Sequence, residues 1–327
     1  MPGYARYALP LLACVMAAAA AAQPAAQQKS QVPGYFRLAV GDYEVNALYD
    51  GYNDLAPSLL QGMSPAQIRA LLARQAIDGA AVQTTFNAFL INTGEHLVLV
   101  DTGAGQCIGA TAGHLLANMH AAGYEPEQVE TILLTHMHLD HVCGLVDARG
   151  AALFPNAKVY AAQAEADYWL SKKEEAAAPE KSRDGFEVAQ HSVAPYVASG
   201  QWATFTPPAS PLPFVQTQLK AGHTPGSTTY RFESKGQSIV FIGDLIHNVA
   251  VQFEHPQVAI RFDVDPAKAI ASRLSEFSEL ARDHQWLAAA HLPFPGIGHV
   301  TGQSPSFHWA PAAYGPYQRA AHVPLLQ

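Results

Sequence analysis

Thr135-His136-Met137-His138-Leu139-Asp140-His141-Val142 follows the apolar run Ile132-Leu133-Leu134. It sets three histidines and an aspartate within six residues, directly beyond a segment that reads as a short buried strand, Thr131 to Thr135. In extended chain, residues i and i+2 share a side, so His136 and His138 point the same way. Asp140 and His141 fall at the turn into a helix and can face a second ion. Imidazole and carboxylate are ligands for zinc and similar divalent metals. A single histidine at a strand end is an ordinary polar loop residue, and His96, His114, His120, His247, His255, His284 and His299 are read that way. The 136–141 cluster is a different case, because its design recurs. His223 follows Phe214 to Lys220, Asp244 follows Ile239 to Gly243, and His291 follows Leu287 to Ala290.

Strand ends in a layered fold converge on one edge, where loops carry function. Five histidines and two aspartates supply roughly three or four ligands to each of two ions if one carboxylate bridges, which leaves a position for water. Two neighbouring ions can share that water, lower its pKa, supply hydroxide near neutral pH and polarise a scissile carbonyl or phosphoryl oxygen.

Outward from the cluster, the chain alternates strands and helices. Phe36 to Val40 and Tyr43 to Tyr49 read as a hairpin about Gly41-Asp42, and Thr85 to Asn92 with His96 to Val100 as a second about Thr93-Gly94-Glu95. Ser64-Pro65-Ala66-Gln67 is a capping box opening a helix to about Gln75. His114 to Ala122 has helical character and stops at Gly123. Lys158 to Ala161 reads as a strand and Ala164 to Leu170 as a helix, whereas the charged stretch Lys172 to Gly185 reads as a mobile surface loop. Phe214 to Leu219, Thr228 to Glu233, Ser238 to Ile242 and Trp286 to Ala290 are further strands, with an amphipathic helix over Pro266 to Arg282. No linker is rich enough to split residues 34–327, so one α/β domain with two strand-rich halves and outer helices is expected.

Residues 1–22 read as an export signal. Arg6 gives the positive end, Ala8 to Ala22 the apolar stretch, and the alanines at 17–22 an A-x-A-type cleavage site. Residues 23–33 read as a flexible lead-in, and a periplasmic or secreted location follows. The formal net charge of -8, with no Lys/Arg-rich run, argues against nucleic acid and anionic membranes as partners. Cys107 and Cys143 remain after signal removal; a single bridge is allowed in an oxidising compartment, but the two are read as small buried residues.

These stretches carry a resemblance. Leu97 to Ala104, Thr135 to Leu145, Phe154 to Ala157, Gly222 to Tyr230, Gly243 to Ile246 and Ala288 to Val300 resemble metallo-β-lactamase-fold hydrolases, above all the methyl parathion hydrolase and dihydrocoumarin-type lactonase subgroup. The resemblance implies a four-layer αβ/βα sandwich, two mixed β-sheets flanked by helices, with two divalent ions at one edge. It implies His136, His138 and His223 as ligands of the first ion, Asp140, His141 and His291 of the second, and Asp244 as the bridge. Every ligand position is filled. Asp140 would also manage the leaving-group proton. Zinc is the expected metal, with manganese, cobalt or iron permitted by the same ligands. The subgroup also suggests a homodimer.

An aspartate at position 244 disfavours true metallo-β-lactamases. The absence of a Glu in the first cluster and of an added flavin domain disfavours flavodiiron proteins, and the lack of a large inserted domain disfavours nucleic-acid-processing members. Trp169 matches an aromatic of the subgroup's substrate pocket and Phe186 a second, while Ile108 stands where a third aromatic is expected; ordinary core packing is the alternative for Trp169 and Phe186. The Ile108 departure weighs against efficient phosphotriester hydrolysis. The expected activity is hydrolysis of a neutral aryl lactone or ester, with phosphotriester hydrolysis as a side activity. Two competing readings are a mononuclear iron enzyme for sulfur oxygenation and a non-catalytic metal-binding module; the complete second ligand set argues against the former.

Overall fold

The computed structural model describes residue 3, residues 25–77 and residues 80–317. Residues 1–22, read as an export signal, lie outside the described residues apart from Gly3. The chain divides into two units, Met1–Val32 and Pro33–Gln327. In the first, residues 25–32 are exposed and carry no regular secondary structure. The second holds everything that follows. No helix among the described residues is long and apolar enough to cross a membrane.

Two sheets face each other. The first has seven strands that neighbour one another in chain order: β1 (Tyr35–Val40), β2 (Tyr43–Leu55), β3 (Val82–Asn92), β4 (Leu97–Val100), β5 (Thr131–Leu133), β6 (Lys158–Ala162) and β7 (Trp202–Phe205). Pairing is antiparallel from β1 to β4 and parallel from β4 to β7. The second has six strands: β8 (Val215–Leu219), β9 (Thr228–Ser234), β10 (Gln237–Phe241), β11 (Trp286–Ala288), β12 (Ile297–Gln303) and β13 (Ser306–Pro311). These too neighbour one another in chain order, and only β10 with β11 is parallel. A small pair, Leu60–Gln61 with Ala259–Ile260, stands apart.

The period-2 alternation of the strands explains the layers. Val45, Ala47, Phe89, Ile91, Val98, Val100 and Leu133 of the first sheet pack against Tyr230, Phe232, Ile239, Phe241, Ala288 and Ile297 of the second. The residues between them, Leu48, Leu90, Leu99, Ile132 and Val159, face outward onto helices. Those helices are α2 (Leu115–Ala121), α3 (Leu139–Val142), α4 (Gln163–Trp169) and α6 (Glu180–Ser199), with α1 (Pro65–Arg74) and α5 (Lys172–Ala177) before and between them. On the far side Val240, Ile242, Leu287, Val300 and Phe307 pack against Phe277 and Leu280 of α8 (Pro266–Asp283), which follows the short α7 (Val249–Gln252). The result is the expected helix–sheet–sheet–helix sandwich.

Local signals place the ends. Ser64 and Gln67 complete both halves of the capping box on α1. Asp265 caps α8 by accepting from Lys268 N, with Pro266 at the first helical position. Two expectations fail. Lys172 to Gly185 is not a loop: it forms α5, capped by Ser171, and the first turns of α6. Phe186, Ala189, Val193 and Tyr196 give α6 a buried stripe, and the charged residues before them are its solvent face. Cys107 and Cys143 are not two free buried thiols. They form a disulfide, and Cys107 is exposed.

Candidate metal centre

Each proposed ligand stands at or just past a strand end on one edge of the sandwich. β5 ends at Leu133, and the chain turns into α3 through His136 and His138, the latter being the residue that precedes the helix. The loop after β8 brings His223, the turn after β10 brings Asp244, and the turn after β11 brings His291.

The side chains converge in two sets. His138 Nδ1 lies 3.1 Å from His136 Nε2 and 2.8 Å from His223 Nε2. Asp244 Oδ2 lies 3.2 Å from His223 Nε2 and 3.6 Å from His136 Nε2. On the other side, His141 Nε2 is 3.0 Å from Asp244 Oδ1, His291 Nε2 is 3.0 Å from Asp244 Oδ2, and Asp140 Oδ2 is 3.4 Å from His291 Nε2. Within each set the ligand-type atoms all lie within 4.8 Å of one another. All seven residues are therefore brought together, and Asp244 belongs to both sets.

Outer hydrogen bonds decide which nitrogens face inward. His141 Nδ1 donates to Asp101 Oδ2 at 2.9 Å, His223 Nδ1 to Asp263 Oδ1 at 2.9 Å, and His291 Nδ1 to the Thr85 carbonyl at 2.9 Å. Thr135 Oγ1 donates to Asp101 Oδ2 at 2.7 Å, so at 3.1 Å it accepts from His136 Nδ1. In their neutral forms these four rings keep the Nε2 lone pair turned inward, the arrangement metal ligation needs. Glu165, fully buried, ties two ligand loops together. It accepts from Met137 N at 2.8 Å and Trp169 Nε1 at 2.7 Å through one oxygen, and from Thr224 Oγ1 at 2.7 Å and Gly226 N at 2.8 Å through the other.

The electrostatics fit a cation. Burial alone would raise the Asp244 carboxyl, but His291, His141 and His136 around it hold it well below the usual range. Burial opposes charge on His141, yet Asp244, Asp101 and Asp140 outweigh it and hold the ring well above its ordinary value. His223 is pushed up to about 9, its burial outweighed by Asp244 and Asp263. The carboxylates thus draw protons onto rings where a bound cation would displace them. His141 Nε2 and Asp244 Oδ1, 3.0 Å apart, are both buried and neither makes a hydrogen bond. Donor type, convergence and these orphaned atoms all fit divalent metal ions.

His247, read from sequence as a polar loop residue, is buried beside the centre. Its Nε2 lies 3.1 Å from Asp244 Oδ2 and its ring stacks on His291 at 4.9 Å. Burial pushes its pKa down to about 4. The signal was its place three residues beyond Asp244, at the same strand-end turn. Of the aromatic candidates, Trp169 stands edge-on to His138 at 5.2 Å, and Phe186 backs Trp169 at 4.7 Å; both are buried. Ile108, half-buried, packs with Phe86, whose ring is 5.7 Å from that of His291.

A four-layer αβ/βα sandwich with two His/Asp sets at one edge defines the class: a metal-dependent hydrolase fold. The chain belongs to the metallo-beta-lactamase superfamily, whose family profile matches residues 86–282. It is similar to the solved hydrolase AbOPH of that superfamily, at 42% identity and a TM-score of 0.84, over 88% of this chain and 100% of the other. It is similar, too, to AidC, a dizinc quorum-quenching lactonase solved with N-hexanoyl-L-homoserine as product, at 26% identity and a TM-score of 0.79, over 86% of this chain and 99% of that one. Ribonuclease TTHA0252 of Thermus thermophilus is 32% identical over 173 residues, which cover 51% of this chain and 36% of the ribonuclease. The match thus spans about a third of that curated relative.

Proposed function

We propose that this chain is an exported hydrolase of neutral lactones or esters that works with two divalent metal ions, zinc foremost. The observation that carries the reading is Asp244, whose two oxygens reach both ligand sets. When bound, such ions supply Lewis acidity toward a carbonyl and a water acidified toward neutral pKa. The chain's own residues do the rest. His136, His138 and His223 would hold one ion and His141, His291 and Asp140 the other, with Asp244 offering an oxygen to each set. Asp140 is the least buried of the ligand carboxylates, with its side chain 18% exposed against 3% for Asp244, so it faces the side from which substrate arrives. There it takes up or delivers the proton of the leaving oxygen. Trp169, its indole N–H fixed on Glu165, supplies an aromatic wall beside the first set with Phe186 behind it, and Ile108 with Phe86 an apolar wall beside the second.

A neutral substrate suits a centre that already holds two carboxylates, Asp140 and Asp244, within a chain of net charge -8. That charge also weighs against a nucleic-acid substrate of the kind the ribonuclease's name implies. Within lactones, likeness to AidC supports an N-acyl homoserine lactone, and the Trp169–Phe186 pair supports an aryl lactone. The Cys107–Cys143 disulfide supports export to an oxidising compartment. The test is kcat/KM on zinc- or manganese-loaded protein with dihydrocoumarin, N-hexanoyl homoserine lactone and methyl parathion, beside a metal-stripped control. Preference for either lactone by orders of magnitude, lost on stripping and restored by metal, is expected. Full activity without metal would overturn the reading, and methyl parathion as the best substrate would move it to phosphotriesters.

A further inference from the structure

The loop between β4 and α2, residues 101–114, contains no regular secondary structure. Its ends are well held. The buried Asp50 carboxylate accepts from Ala104 N, Gly105 N and Leu115 N, Gly144 N donates to Gly103 O, and Tyr52 N donates to Thr111 O. The apex is not. Gln106, Cys107, Gly109 and Ala110 are exposed, and the backbone bonds there are short-range turns, Cys107 N to Ala104 O and Gly109 N to Gln106 O. Gly105 and Gly113, at φ 49° and 88°, flank the apex as left-handed joints. A cavity of about 360 Å³ opens beside it, lined in part by Gly105, Gln106, Gly109, Gly144 and Leu153. Nothing therefore packs against the apex from that side, and there is room for it to move. Two attachments remain: the packing of Ile108 on Phe86, Ala104 and Ala112, and the bond from Cys107 to Cys143. Cys143 is buried and follows α3 immediately, two residues beyond His141.

We infer that the Cys107–Cys143 disulfide is a positioning device: it holds Ile108 against Phe86 beside the second ligand set, and its cleavage loosens the substrate wall while leaving the metal ligands in place. The inference rests on the proposed hydrolase reading. Cleavage needs a dithiol reductant. One thiolate attacks the sulfur of Cys107, the exposed residue of the pair, the S–S bond breaks, and Cys143 leaves as thiolate and takes up a proton. The second reductant thiol then releases Cys107, giving two protein thiols and one oxidised cyclic disulfide.

The ligands stay because α3 has its own anchors. Thr102 N and Oγ1 both donate to His141 O, and Asp101 holds His141 Nδ1. The experiment compares zinc-loaded oxidised protein with Cys107→Ser/Cys143→Ser, and with wild type that has been reduced with dithiothreitol, freed of reductant and reloaded with zinc, should the double variant fold poorly. Three quantities are read: amide exchange over residues 105–110, zinc content, and KM against kcat for dihydrocoumarin. Exchange at least tenfold faster, zinc unchanged, and KM raised about five- to tenfold with kcat within twofold is the expected result. Ile108→Ala in the oxidised protein should raise KM similarly, without adding to the effect of losing the bond. Unchanged exchange, faster exchange with unchanged KM, or loss of zinc would each overturn the inference. Should the oxidised protein turn over no lactone at all, the hydrolase reading falls separately, and exchange at 105–110 still decides whether the disulfide clamps the loop.

Discussion

Replacing Asp101 by Asn changes one atom and tests whether the outer hydrogen bonds set the metal affinity. Asp101 is buried, and its backbone sits at φ 59°, a conformation Asn tolerates, so the change adds little backbone strain. The carboxylate accepts from Thr135 N at 2.8 Å through one oxygen, and from Thr135 Oγ1 and His141 Nδ1 at 2.7 and 2.9 Å through the other. An amide cannot serve all three donors. With its oxygen on Thr135 N, its NH2 faces His141 Nδ1–H and the Thr135 hydroxyl, which must turn over to accept instead of donate. That ring must then carry its proton on Nε2, and the inward lone pair is lost. With the amide turned over, His141 keeps its partner, but the buried Thr135 N–H meets a donor, which costs about 1–3 kcal/mol of stability.

The first arrangement moves one proton around one ring and turns one hydroxyl over; the second orphans a backbone group in the layer that supports His136. The first should prevail, and loss of an outer-shell partner costs about 10–100-fold in metal affinity, or about 1.4–2.7 kcal/mol. Zinc titration against a chromophoric chelator, with circular dichroism to confirm folding, should show the site built on His141 weakened by that factor. The site built on His136, His138 and His223 should stay within threefold. Two unchanged affinities together with an unchanged unfolding midpoint would refute the account of how these rings are oriented.

Two further outcomes follow from the packing. Gly226→Ala places a Cβ 2.2 Å from Glu165 N and 2.6 Å from its Cα, backbone that no rotamer change can move, so urea denaturation should show a loss of about 3 kcal/mol and zinc should leave the first set; a wild-type midpoint would show the two loops can separate at little cost. Burial pushes the Tyr196 phenol up to about 12, against an ordinary value of 10.0. A raised folded-state pKa means the stability it contributes is intact below pH 10 and is lost as pH rises through 12, about 2.7 kcal/mol for two units. Tyr196→Phe should remove that part of the alkaline loss between pH 10 and 12, while costing about 1–3 kcal/mol at pH 8 because its bonds to Leu145 O and Phe154 N disappear. Equal slopes for both proteins over that range would count against the phenol as the titrating group.

The sandwich was legible because its strands must alternate. Leu90 and Leu99 face one layer of helices while Phe89, Ile91, Val98 and Val100 face the other sheet, and that two-residue rhythm is written in the chain. What could not be read is where burial rather than composition decides. Lys172 to Gly185 looks like solvent-loving loop, yet its charges are the outer face of helices whose inner face begins only at Phe186. The β12–β13 hairpin, Ile297–Gln303 with Ser306–Pro311, carries few residues that announce strands and is held as much by its register against β11. The disulfide joins residues 36 apart, and nothing local to Cys107 or Cys143 says that their Cα atoms stand 6.3 Å from each other.

The candidate site divides the same way. A metal ligand has to be His, Asp, Glu or Cys, so seven such residues could be picked from the chain by type together with their places just past apolar strands. The partners that aim them carry no such mark. Asp263 is one acidic residue among several between 263 and 283, and it matters because it lies 2.9 Å from His223 across 40 residues of chain. His291 is aimed by the carbonyl of Thr85, 206 residues away, and a carbonyl belongs to every residue alike. Substituting Thr85 therefore leaves that acceptor in place, whereas substituting Asp101 or Asp263 removes one. The orientation of His291 should accordingly survive side-chain changes that disturb His141 and His223, so of the three rings its aim depends on the fold and least on the identity of any outer residue.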